Sequence, residues 1–106
     1  MNQDKMQMFV ERYLELSNEL KYRKGESGAY MQLGEILTQK GDYDSSTKHF
    51  YRAMKISEDT NDAEMKEQAK VKFADFQTRE YEERMRAKKR RKKEKKDAKR
   101  EEKIRK

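Results

Sequence analysis

Apolar residues recur along most of this chain at steps of three and four, the spacing that keeps side chains on one face of an α-helix, and then stop. Tyr30, Leu33, Ile36 and Leu37 share one face of a helix predicted over residues 27–40. Tyr43, Phe50, Ala53, Met54 and Ile56 share one face of a second, predicted over 43–59. Between them Gly41 can take the positive φ that ends a helix, and Asp42 can cap the next. Gly34, beside Leu33, leaves no side chain in the way of a crossing helix. Upstream, Met6, Phe9, Val10, Tyr13, Leu16, Ser17 and Leu20, widened by Leu14, predict a helix over 3–22 with a broad apolar arc. Lys21 to Glu26 read as a polar turn, with Gly25 as helix stop and Ser27 as cap.

Downstream, the cluster Asp59-Thr60-Asn61-Asp62 predicts a helix that starts near Asp62 and turns Met65, Ala69, Phe73 and Phe76 inward. After Phe76 the apolar stripe ends. Glu80, Glu82, Glu101 and Glu102 each stand four residues before a basic one (Arg84, Arg86, Arg105 and Lys106), so helix is expected to continue past Arg84 and to fray near its end. The expected fold is all-α: about four helices (3–22, 27–40, 43–59 and 62–83) in a region 1–83, followed by a long basic helical extension, 84–106.

The chain also repeats. Displaced by forty residues, Tyr13-Leu-Glu-Leu-Ser17 lies over Ala53-Met-Lys-Ile-Ser57, Val10 over Phe50, Ala29 over Ala69, and Leu33-Gly-Glu-Ile36 over Phe73-Ala-Asp-Phe76. Apolar meets apolar and small meets small without a gap.

Tyr30, Leu33-Gly34, Gly41-Asp42-Tyr43, Phe50 and Ala53 stand at the offsets of a tetratricopeptide repeat, a family of stacked helix pairs that this chain resembles. Ser46, where a small Ala is usual, and Glu58, where a Pro often closes the unit, depart from the pattern. The period of forty is similar to that of the subclass with a longer turn between units. The resemblance implies antiparallel helix pairs whose first helices line a partner-binding groove. Carried over by position, the groove residues are Gly28, Met31, Glu35, Thr38 and Gln39, then Gln68, Val71, Asp75, Thr78 and Arg79. Met31, Glu35 and Gln39 bring no positive charge, which argues against a clamp for the C-terminal carboxylates of chaperones.

A repeat of this kind cannot bury its apolar face alone, and about three units are usually needed. This chain supplies about two. It therefore resembles the C-terminal end of a longer array, or a small protein that completes its core against something else. In the second case Met6, Phe9 and Tyr13 form an open N-terminal edge for a partner or a second copy. The alternative is that helix 3–22 merely overfills its contact with helix 27–40.

Composition narrows the function. Of the 106 residues 32 % are hydrophobic and 46 % charged, so the core must be thin. The net charge of +7 is uneven, because residues 84–106 hold fifteen of the 28 basic and four of the 21 acidic residues, a local net of +11 against −4 for residues 1–83. Cysteine is absent, His49 is the one histidine, and no nucleophile–base pair or phosphate loop is visible. The expectation is a non-enzymatic protein without cofactor or metal: a protein-interaction module, scaffold or adaptor.

The basic run Lys88, Lys89, Arg90, Arg91, Lys92, Lys93, Lys95 and Lys96 can be a solvated helix, an electrostatic contact for an acidic polymer such as nucleic acid or tubulin tails, or an import signal. Its lack of an apolar face argues against membrane attachment, and no segment has the roughly 20 apolar residues of a membrane span. With no secretion signal at the N-terminus, the expected location is intracellular, in the cytoplasm or, if the basic run is an import signal, the nucleus. The resemblance to tetratricopeptide repeats of this period in ciliary assemblies implies the cilium as a further setting. The alternative function is nucleic-acid association through the tail.

Overall fold

A computed structural model describes residues 2–105, which divide into two compact units after Phe76. Among the described residues there are four helices and no strand: α1 (Gln3–Glu19), α2 (Arg23–Gln39), α3 (Tyr43–Glu58) and α4 (Ala63–Arg105). Their first residues fall every twenty positions, so the forty-residue period of the sequence corresponds to a pair of helices.

Capping chemistry sets this spacing. The side chains of Asn2, Asp42 and Asp62 each accept the backbone N–H three residues on, at 2.8, 3.1 and 3.2 Å. The C-termini of α1 and α2 close in the same way. In α2, Gly41 takes φ 85° while its N–H reaches the Thr38 carbonyl and that of Asp42 the Leu37 carbonyl. In α1, Lys21 adopts φ 55°, its N–H reaches Asn18 and that of Tyr22 reaches Ser17.

This closure corrects two expected boundaries: α1 ends at Glu19 rather than 22, and α2 begins at Arg23 rather than 27. Gly25 is no helix stop and Ser27 no cap. Both are buried inside α2, where the Ser27 hydroxyl donates to the Ala53 carbonyl of α3 at 3.2 Å. The turn needs one left-handed residue, and exposed Lys21 supplies it at a steric cost that glycine avoids. Lys21→Gly is therefore expected to raise stability by up to about 1 kcal/mol, read as a higher urea midpoint. A lower midpoint would mean that Lys21 contributes through its side chain.

The core of the first unit is thin and continuous. Val10 of α1 meets Ala29, Leu33 and Ile36 of α2, with Leu14 packed against them. Phe50 of α3, buried, lays its ring on Gly34: a Cβ built there would lie 2.7 Å from the ring. Phe50 also meets Phe76 and Phe73 of α4, with ring centres 5.0 and 6.5 Å away. Pairs forty apart that are both buried include Val10 and Phe50, Ser17 and Ser57, Ala29 and Ala69, and Ile36 and Phe76.

The expected boundary at 83/84 does not interrupt the backbone, because α4 is one helix to Arg105. In the second unit Glu80 pairs with Arg84, Glu82 with Arg86 at 3.5 Å, and Glu83 with Arg86 and Arg90 at 3.6 and 3.4 Å. These contacts across successive turns support helix where no apolar stripe does. The pairs expected of Glu101 and Glu102 lie outside the described side chains. No helix among the described residues is long and apolar enough to cross a membrane.

Candidate protein-interaction surfaces

Three surfaces carry the residues singled out from the sequence. The groove positions divide. Gly28 and Met31 of α2 and Gln68 of α4 line one hollow of about 130 Å³ together with Lys24, Asp62 and Met65. Glu35 is bonded across to Lys72 of α4 at 2.6 Å, a partner the sequence did not suggest. Val71 and Asp75 are exposed in the same unit, while Thr78 and Arg79 belong to the second.

Thr38 is corrected: it is buried, its hydroxyl donates to the Gly34 carbonyl at 2.7 Å, and it lies 3.0 Å from the Ser46 hydroxyl of α3. Ser46 in turn donates to the Asp42 carbonyl at 2.9 Å. The departure from Ala at Ser46 thus pairs with a hydroxyl on the facing helix, and Thr38 stitches α2 to α3 instead of facing a ligand. Gln39 accepts a 2.8 Å bond from Gln3 of α1. Beside it Lys40 reaches Asp4 and Gln7, both at 2.7 Å. This bond to Lys40, and then its charge, holds the Asp4 carboxyl below its ordinary value. The Ser45 N–H does the same for Asp42, so its capping contribution is lost only as pH falls below the usual carboxylate range.

The second surface is the outer face of α1. Met6, Phe9, Tyr13, Leu16 and Leu20 are all exposed there, as is neighbouring Met8. The forty-residue register supplies a control for how unusual this is. Met6, Phe9, Tyr13 and Leu16 correspond to Ser46, His49, Ala53 and Ile56 of α3, and α2 covers that face. Ser46 meets Thr38, the His49 ring centre is 5.8 Å from that of Tyr30, and the Ala53 carbonyl accepts from Ser27. Ser46 and Ala53 are fully buried, whereas Met6 and Tyr13 are 50 % and 48 % exposed and Phe9 is 65 % exposed. α1 therefore presents, with larger side chains, a face of the kind that α3 buries.

The third surface is the basic run. Lys88, Lys89, Arg90, Arg91, Lys92, Lys93, Lys95 and Lys96 are all exposed on α4, and Arg90 reaches Glu83 at 3.4 Å. Four consecutive basic residues, 88–91, already circle a helix at about 100° per residue, so no side of this stretch is apolar.

One further feature escaped the sequence reading. A hollow of about 280 Å³ is lined by Arg23, Glu26, Tyr30, Arg52, Lys55 and Asp59, among others. Arg52 lies 5.5 Å from the centre of the Tyr30 ring, and Arg23 pairs with buried Glu26 at 3.1 Å. Charges of both signs already answer one another there. The chain matches no known family model, no curated protein and no solved structure.

Proposed function

We propose that this chain is a non-enzymatic protein-interaction module, a scaffold or adaptor made of tetratricopeptide-type helix pairs, that docks a protein on the outer face of α1. The observation that carries this reading is the contrast between that face and its counterpart on α3. The same register positions that are covered by α2 on one helix are bulky, apolar and open on the other. An exposed stripe of this size on a chain with so few apolar residues marks a contact surface. The groove between α2 and α4 is a secondary contact, closed in part by the Glu35–Lys72 pair. The family resemblance adds the setting of a larger intracellular assembly, ciliary or cytoskeletal, in which the basic run would meet acidic polymer tails.

A photoreactive side chain at Phe9, in cells expressing the chain, is expected to give discrete protein adducts. The same probe at exposed Lys48 on α3 is expected to give few. Equal labelling at both positions would overturn the reading.

The second reading is nucleic-acid association through the second unit, favoured by the exposure of the basic run on every side. It predicts affinity for duplex DNA falling steeply and linearly in log–log form with salt, with several phosphate contacts contributing to the slope. A protein contact through α1 is apolar and keeps most of its strength over the same salt range.

A further inference from the structure

We infer that the outer face of α1 pairs with the same face of a second copy of this chain, as an antiparallel two-helix seam. This rests on the proposed use of that face and commits to its occupant. Met6, Phe9, Tyr13, Leu16 and Leu20 follow one another at steps of three, four, three and four. That alternation is the seam of a two-helix coiled coil, in which each apolar side chain fits between four of the facing helix. A helix of the α2 type fits poorly here. Against α3, α2 approaches through Ser27 and Thr38, which meet Ala53 and Ser46, and α1 has the bulkier Tyr13 and Met6 at the corresponding places.

Charge selects the orientation. On the side of the seam away from α2 the flanking positions are Lys5, Arg12 and Glu19, and all three are exposed. An antiparallel pair that layers Phe9 on the second copy's Tyr13, and Met6 on its Leu16, sets Lys5 opposite the second copy's Glu19. Two-fold symmetry makes that contact twice. The two Arg12 side chains meet at the centre, each already held by its own Glu15 at 2.9 Å. A parallel pair would bring those flanks to Val10 and Ser17, which α2 buries and which carry no charge. The seam spans a helix of only 17 residues, so its area is at the low end of specific interfaces and the dimer is transient, with Kd on the order of ten micromolar.

The test is the molar mass of the full chain by sedimentation over a roughly hundredfold concentration range, beside its helical circular dichroism. Mass is expected to rise from one chain to two. Lys5→Glu and Glu19→Lys should each weaken the dimer by about tenfold, and the two together should restore it, because the swap re-creates both opposite-charge contacts. Phe9→Glu should hold the chain monomeric at every concentration. All of these positions are exposed, so helicity is expected to be unchanged, and that separates lost pairing from lost folding.

A chain that stays monomeric throughout overturns the self-pairing, and so do single charge reversals that leave Kd unchanged. If the photoreactive probe at Phe9 nevertheless captures a different protein, the interaction reading stands without it. A monomer with no adduct at Phe9 removes both.

Discussion

Phe50→Ala is expected to cost about 3–5 kcal/mol of stability, most of what a domain this small holds. Phe50 is 3 % exposed and touches two helices besides its own: Gly34 of α2 under the ring, and Phe73 and Phe76 of α4 with ring centres 6.5 and 5.0 Å away. Removing the ring opens a cavity that cannot readily collapse, because Gly34 has no side chain to fill it and the phenylalanines of α4 are held by one another and by Tyr43. Phe9→Ala removes the same atoms from a side chain that is 65 % exposed, so its expected cost is within about 1 kcal/mol. Urea midpoints of the two variants decide the matter. Similar losses would mean that Phe9 is buried in solution by a contact already formed, and a small loss at Phe50 would remove it from the core.

The contrast between these two phenylalanines also shows how far the sequence could be read. Both fall on helical apolar stripes, so periodicity alone treats them alike. Placing Phe50 inside and Phe9 outside takes the forty-residue register together with the resemblance to repeat units, since both concern what covers a face and not only which face is apolar. The Gly41-Asp42 turn was legible because its chemistry is local: glycine supplies the positive φ and aspartate the cap. The equivalent turn at Lys21-Tyr22 was not legible. There the bonds from Lys21 and Tyr22 back to Asn18 and Ser17 compel a lysine into a conformation for which it has no preference.

Gly25 differs from its sequence expectation for the complementary reason. Glycine near a polar stretch reads as a stop, whereas here it is a point of close helix approach, which sequence cannot distinguish from a turn. Position within the family pattern places Thr38 in the groove. Its hydroxyl instead answers Ser46, itself a departure from that pattern, so the two residues explain one another only once α2 and α3 are seen together. The continuation of α4 beyond its apolar stripe was legible from Glu–Arg spacing alone, and the ion pairs at Glu80 and Glu82 follow it.

Gly25→Ala is the second large effect, and it should fall on α1 alone. A Cβ at this position would lie 2.4 Å from the Ser17 hydroxyl, 2.7 Å from the Tyr22 ring and 3.1 Å from the Tyr13 hydroxyl. Two effects oppose each other. Alanine favours a helix over glycine by about 1 kcal/mol, while overpacking typically costs about 1–3 kcal/mol. Sterics should win, because Ser17 is itself buried and the Tyr22 ring follows directly from the closed turn, so neither can give way without moving α1 off α2.

The expected result is loss of amide-exchange protection in α1, with α2 and α3 still protected, and partial recovery when Ser17→Gly removes the nearest atom. Uniform loss of protection would mean that the helices unfold as one body, and a gain in stability would mean that α1 slides at little cost. The same substitution bears on the seam. Tyr13 sits both against Gly25 and in the apolar stripe, so a displaced α1 carries Tyr13 away from the position that layers it on the second copy's Phe9. Self-association should therefore weaken in Gly25→Ala although Gly25 lies in α2 and outside the seam, because the face is only as well placed as the helix that bears it.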